Sequence, residues 1–351
     1  IIELESKMQI YKILKINHLI KNHRIKFFGL WLLSKFNQRY LSIQLDPVLA
    51  CNLKCTMCYF SDEEFVRNKV KGQLSLEELD LIGNNFFTNA LRLQIGCGAE
   101  PTLYKNIDQL ILKAKFHKVP HISMVTNGNL LTKEKLSLYV ENGLNELILS
   151  LHGVTQFTYE KFMVNAKYEK FMILLESVSE IKQKYPEFLL RINYTFNEDN
   201  FEELFEFFEV FGKFDIDIIQ LRPIDKIGES VYDNFSLTKI ENQYSDLYKL
   251  FKENAVNRKI NLIAPSSIVR NVDESLKVKT TNDSSFLIPF TYCYVGPDGV
   301  WKPNFNLKTE TFKEWKKNNQ WDKQILSNVF ASRKSLFKTQ RNMINYDIDI
   351  N

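Results

Sequence analysis

The chain has 351 residues, 44% of them apolar and 25% charged, with a net charge of +4. That is enough to bury a full core in one large domain or one and a half, and it excludes a disordered chain. So mild a charge, with no dense basic face across the chain, excludes a dedicated nucleic-acid binder.

Residues 1–41 are basic and amphipathic, with Lys7, Lys12, Lys15, Lys21, Arg24, Lys26, Lys35 and Arg39 set among Ile, Leu, Phe and Trp. The simpler reading is a pair of helices packed on the domain that follows, because a surface helix is amphipathic by default. The other is peripheral contact with an anionic membrane. The chain opens on Ile1 and not Met, so residues are expected ahead of it.

From residue 42 the pattern alternates. Residues 42–49 read as a strand. Residues 75–88 read as a helix, with Ser75 as N-cap and Glu78 closing a capping box. Strands follow over 91–95, 121–125, 146–151, 189–196 and 216–221. Helices follow over 105–117, 132–141, 168–185, 201–211 and 238–254, the third of these ending before Pro186. The aromatic stripe of 201–211 reads as core. Six βα units in a row imply a parallel sheet with helices outside it, and right-handed crossovers curl it into a partial barrel. The predicted fold is therefore α/β: a partial (βα)6 TIM-like barrel over 42–255, an N-terminal helical extension over 1–41, and a small C-terminal hairpin-plus-helix segment over 256–351. In that last segment 272–286 reads as a polar loop and 289–301 as a hairpin turning at Gly296-Pro297-Asp298-Gly299. Residues 311–341 read as weakly helical, and the last ten as frayed.

The chain has five cysteines: Cys51, Cys55, Cys58, Cys97 and Cys293. They are too few and too unevenly spaced for a secreted disulfide framework and point to a metal site in a reducing cytoplasm. No apolar run is long enough to span a bilayer, and no cleavable signal peptide is evident. Cys51, Cys55 and Cys58 lie four and then three residues apart, directly after the first predicted strand. One loop can turn all three thiolates onto an iron–sulfur cluster and leave one iron open. A zinc site would need a fourth ligand, and neither a CxxC nor an HxxxH pair follows. A non-catalytic iron–sulfur or zinc protein is the rival reading.

This cysteine spacing resembles the radical S-adenosylmethionine (SAM) superfamily. The resemblance implies one [4Fe-4S] cluster whose open iron is chelated by the methionine end of SAM, and reductive cleavage of SAM to a 5′-deoxyadenosyl radical that takes hydrogen from a substrate. It also implies an external one-electron reductant of flavodoxin or ferredoxin type. Gly96-Cys97-Gly98-Ala99-Glu100-Pro101, after the second strand, looks like the family's Gly-Gly-Glu-Pro element, whose backbone binds the SAM amino group; Cys97 is the departure. Thr126-Asn127-Gly128 resembles the family's usual ending of the third strand. Ser150-Leu151-His152-Gly153 resembles its Ser-x-Asp/His-Gly element, which faces the methionine carboxylate and ribose. By the same resemblance Met57, Asn193, Thr195, Gln220, Arg222 and Ile224 are counted with Gly96, Gly98, Ala99, Glu100, Pro101, Asn127, Ser150 and His152 as cofactor-binding. Lys161 stands near where relatives carry an Arg. In a βα barrel the ends of strands are where chemistry sits, and each candidate is on a predicted strand or at its end.

Residues 293–304 resemble the start of a SPASM or twitch domain, but Asn304 stands where that pattern has its second Cys, and the later cysteines are missing. One cluster in all is therefore expected. Cys97 and Cys293 are then either buried small hydrophobes or thiols that donate a hydrogen or an electron near the substrate. The SPASM-like shell points by analogy to a peptide or protein substrate; a small molecule such as a sugar, nucleotide or lipid precursor is the alternative. Lacking a second cluster, the reaction is expected to be redox-neutral or hydrogen-returning.

Overall fold

A computed structural model describes residues 9–224, 236–268, 284–300, 302, 304–336 and 346–349. Its centre is one ten-stranded sheet in the order β10-β7-β6-β5-β4-β3-β2-β1-β8-β9. The strands are β1 (Leu41–Leu45), β2 (Ala90–Ile95), β3 (Ile122–Thr126), β4 (Glu146–Leu151), β5 (Leu189–Phe196), β6 (Ile218–Pro223), β7 (Asn261–Pro265), β8 (Tyr292–Gly296), β9 (Gly299–Val300) and β10 (Tyr346–Asp349). Neighbours from β7 through β1 to β8 are all parallel, and only the edge strands β9 and β10 run antiparallel. The partial α/β barrel is as predicted.

It is wider than six units. The alternation continues through the helix Glu241–Arg258 into β7. β8 lies parallel to the free edge of β1, with Ile43 opposite Cys293. The tail expected to fray supplies β10, which pairs with β7. The predicted loop over 272–286 falls for the most part outside the described residues, whereas the hairpin forms as β8–β9 and 311–341 holds the helices Phe312–Asn318 and Trp321–Phe330.

Period-two alternation explains the two faces of the sheet. Leu41, Ile43, Leu45, Leu93, Ile95, Leu147, Leu149, Leu151, Ile192, Tyr194 and Phe196 are buried in the main core beneath the outer helices. Their neighbours in sequence face the lumen and are polar: Ser42, Gln44, Arg92, Gln94, Ser123, Ser150, Arg191, Asn193 and Gln220. The helix Leu76–Phe86 starts with the expected Ser75–Glu78 capping box, and Lys133–Asn142 stops at Gly143, whose φ of 117° suits glycine.

The N-terminal extension is part of this architecture. Helix α1 (Gln9–Leu19) closes the base of the barrel, where Ile10 and Tyr11 cluster with Leu189, Ile218 and Ile263. The Tyr11 hydroxyl donates to Glu146 and accepts from Arg191 Nη1 at 3.2 Å. Burial alone would raise the Glu146 carboxyl, but His121, at 2.7 Å, with Arg191 and Tyr11, holds it below the usual carboxylate value. Helix α2 (His23–Lys35) packs on the outside through Phe27 and Leu30, the former against Phe286 and Phe290. Among the described residues no helix is long and apolar enough to cross a membrane.

Candidate active site

The cysteine loop leaves the end of β1 and is stitched down by main-chain bonds. Lys54 N–H donates to Val164 O and Thr56 N–H to Phe162 O, at 3.1 and 3.0 Å, and Cys58 N–H turns back on Cys55 O at 2.9 Å. Cys51, Cys55 and Cys58 are free, half-buried thiols. Burial pushes the Cys51 thiol up to about 12 and the Cys55 thiol higher, with the neighbouring cysteines adding to both. Three crowded thiols that resist ionising as bare protein are a donor set suited to a bound cationic centre, which stabilises thiolates. Among the described residues no three His, Cys, Asp or Glu side chains gather closely enough to hold a single metal ion. A four-iron cluster is wider and takes its thiolates one iron at a time.

The element at the end of β2 is held by a residue that the sequence motifs do not single out. Asp46, buried after β1, accepts from Cys97 N–H at 2.8 Å and from Gly98 N–H at 3.1 Å. It also accepts from the Cys97 thiol at 3.1 Å and the Tyr294 hydroxyl at 3.2 Å. Tyr59 donates to the Gly98 carbonyl. Much of the backbone assigned to SAM is thus already bonded within the protein. Gly96 has φ of 80°, and a Cβ there would lie 2.5 Å from Val125 O, so the turn admits only glycine. Ala99 stands half-buried beside them, and Pro101 opens a short 3-10 turn.

Glu100 is likewise internal. One carboxylate oxygen accepts from Thr102 N–H and from the hydroxyls of Thr102 and Thr126, the last at 2.7 Å; the other accepts from Asn127 N–H at 2.9 Å. Asn127 then donates to Asn52, inside the cysteine loop, at 2.9 Å. Glu100 and Asn127 therefore tie the ends of β2 and β3 to the cluster loop. Asn129, which no motif singles out either, bonds Asn127, Tyr159 and the Lys167 N–H.

The remaining candidates line the lumen in layers. Ser150, Asn193 and Gln220 share one register level across β4, β5 and β6, and Thr195 and Arg222 share the next level towards the strand ends. Arg191 bonds both Asn193, at 2.8 Å, and Gln220. Ser150, Thr195 and Gln220 are half-buried and Arg222 is exposed, whereas Asn193 and Ile224 are buried, the latter with its N–H on Phe196 O. Met57 Sδ accepts from the buried Asn197 at 3.2 Å, which places the cysteine loop against the end of β5. His152 Nδ1 is buried with no hydrogen-bond partner among the described residues. Burial and then the Arg222 charge lower this imidazole to about 4, so it is neutral at pH 7 and open to a ligand's hydrogen bond. Lys161 is exposed and rests over the Phe162 ring.

The two lone cysteines part company. Cys293 alternates outward from Tyr292 and Tyr294 and is buried in the main core, on the face of β8 turned away from the lumen. Cys97 is exposed at the rim, but its thiol is pushed well above its ordinary value by burial of the group and by Asp46.

The sequence profile of the radical SAM superfamily matches residues 46–209, from Asp46 through the ends of β1 to β5. The probable GTP 3′,8-cyclase of Sulfolobus acidocaldarius is 27% identical over 200 residues, 56% of this chain and 61% of that protein. That of Saccharolobus solfataricus is 26% identical over 198 residues, 55% and 61% of the two. The chain thus spans less than two thirds of the length of these relatives. Among solved structures, Streptococcus suis SuiB bound to its precursor peptide SuiA covers 84% of this chain and 69% of its own, at a TM-score of 0.59 and 14% identity. The anSMEcpe enzyme with bound AdoMet and Cp18Cys peptide covers 86% of both, at 0.54 and 19%. At such identities these likenesses concern the fold.

Proposed function

We propose that this chain, whose residues 46–209 match the radical SAM superfamily, is a radical SAM enzyme and that the substrate from which it takes hydrogen is a small polyhydroxylated molecule of sugar or nucleotide type. The observation that carries this is the lumen wall. Its accessible part presents amides and hydroxyls: Ser150 and Gln220 on one level, Thr195 with Arg222 on the next towards the strand ends, and Gln94 on β2. Such groups recognise a small polar ligand by convergent hydrogen bonds. The C-terminal segment favours the same reading: β8 seals the edge of β1 and turns Tyr292 and Tyr294 to the lumen, instead of standing off from a wide cleft. The naming of the sequence relatives as probable GTP cyclases agrees in chemical class. The peptide reading rests on an analogy to the C-terminal segment and on fold likeness alone.

Cys51, Cys55 and Cys58 hold the [4Fe-4S] cluster in this reading. When bound, the cluster and SAM supply the one-electron cleavage that yields a hydrogen-abstracting radical. The protein's part is positioning. Asp46 and Tyr59 fix the Gly96–Pro101 turn, Glu100 and Asn127 lock that turn to the cysteine loop, and neutral His152 offers a hydrogen bond at the rim. Two lone thiols are too few for a second cluster, so the substrate radical, rearranged or not, would be quenched by a returned hydrogen atom, and a flavodoxin- or ferredoxin-like donor would supply the electron.

The test is 5′-deoxyadenosine release by the anaerobically reconstituted, reduced protein. Stimulation well above the substrate-free rate by a protease-treated ultrafiltrate of cell extract, or by nucleotides and nucleotide sugars, is expected. Stimulation only by the retained peptide and protein fraction would overturn the proposal.

A further inference from the structure

No Asp or Glu occurs between Glu5 and Asp46, while eight Lys and Arg do. Two of the eight serve the fold: Lys26 is buried with its ammonium on Ser284, and Arg39 bonds the carbonyls of Phe87, Ala90 and His117. Lys12, Lys15, Lys21, Arg24 and Lys35 are exposed. Large apolar side chains lie among them. On α1, Ile16 and Leu19 are 57% and 67% exposed; on α2 and its cap, Ile25, Phe28 and Phe36 are 58%, 48% and 66% exposed. Ile25, Phe28, Leu32 and Phe36 recur every three or four residues and so form one stripe, with Arg24 and Lys35 beside it. Phe330, 79% exposed, sits at the α1–α2 junction, where His23 bonds Ala331 O at 3.1 Å.

A helix that is apolar all round is normally covered on both sides. The inner side of α2 is covered by Phe286 and Phe290. Its outer side is open to solvent among the described residues, with the exposed cations Arg24 and Lys35 of the same helix beside the apolar stripe. A nucleic acid would use the cations and leave the aliphatic and phenyl groups idle. An anionic bilayer uses both, since apolar side chains enter the boundary of the acyl chains while Lys and Arg meet the headgroups.

We propose that the outer face of α1 and α2 docks on an anionic membrane surface. This does not depend on the substrate reading. The base of the barrel beneath α1 is remote from the cysteine loop, so a docked enzyme keeps its strand-end mouth open to water and to a soluble substrate.

The full-length protein is mixed with vesicles of phosphatidylcholine with and without phosphatidylglycerol, and the bound fraction is measured by flotation. Binding is expected only with the anionic lipid, with a fall as salt rises and a blue shift of Trp31 emission. K21E/R24E should weaken partitioning by about fivefold for each cation removed, and F28S/F36S should abolish it. Both variants should keep the wild-type melting curve and SAM cleavage, because the altered side chains are outside the fold's core. The proposal is overturned by absence of binding to anionic vesicles at low salt. It is also overturned by binding that both variants retain, by a dimer in light scattering that F28S/F36S dissociates, or by RNA binding that survives F28S/F36S in a protein that ignores vesicles.

Discussion

Asn127 donates its side-chain amide to Asn52 at 2.9 Å, and its backbone N–H to Glu100 at 2.9 Å. One residue at the end of β3 therefore holds both the cluster loop and the Gly96–Pro101 turn. In Asn127→Ala the side-chain bonds to Asn52 and from Asn129 N–H are lost while the backbone bond to Glu100 remains. The expected result is a fold weaker by about 2 kcal/mol, the ordinary worth of two such bonds, with a larger effect on iron retention. Iron bound per chain after gel filtration should fall, and wild-type retention would show that the loop holds itself.

Glu100→Gln tests the other half of that link. Both carboxylate oxygens accept, and together they take four donors. An amide presents one oxygen and one NH2, so at least one buried donor must face another donor. The cost should be about 2 kcal/mol, read as a lower urea midpoint of the metal-free protein. An unchanged midpoint would mean that the network relaxes around the amide.

Much of this site is legible in the amino-acid sequence. Three cysteines at spacings of four and three, and polar candidates at successive strand ends, are local patterns, and the βα rhythm locates them on one rim. What is not legible depends on contacts distant in sequence. Asp46 reads as an ordinary residue after a strand; only the fold brings it under the N–H groups of residues 97 and 98. β8 is far from β1 in the chain, so a short apolar run near a turn gives no sign of their pairing. Glu100 belongs to a cofactor-binding motif, whereas its side chain serves the protein. Tyr11 looks like one more aromatic on an amphipathic helix, yet it completes a buried hydrogen-bond cluster with Glu146 and Arg191.

Cys97 and Cys293 should respond differently to substitution. Cys293→Ala removes a buried sulfur from the main core and should cost about 1 kcal/mol or somewhat more through the cavity left, with deoxyadenosine formation per bound cluster unchanged. Cys97→Ser preserves a hydrogen-bond donor to Asp46 and should leave stability and SAM cleavage near wild type. Because Asp46 and burial keep the Cys97 thiol protonated at neutral pH, its alkylation by iodoacetamide should be slower than that of an exposed peptide thiol. Asp46→Asn should accelerate it, and equal rates in the two proteins would remove Asp46 as the cause.

The neutral state of His152 has a consequence for stability against pH. Its folded-state value, about 4, lies below its ordinary 6.5, owing first to burial and then to Arg222. Above 6.5 the imidazole is neutral in both folded and unfolded chains and the shift has no effect. As pH falls below 6.5 the unfolded chain takes up a proton that the folded site refuses, so stability declines until about pH 4, where the folded site is also protonated. With the ring only partly shielded from water, the contribution between pH 6.5 and about pH 5 should be roughly 1 kcal/mol. His117, also lowered by burial, acts in the same direction, so the decisive quantity is the difference from His152→Asn. Urea unfolding of the metal-free proteins at several pH values should show a shallower acid decline in the variant, with the two curves parallel above pH 7. Curves that stay parallel down to pH 5 would mean that His152 is solvated enough to titrate normally, and its unpartnered Nδ1 would then already be served by water rather than held for a ligand.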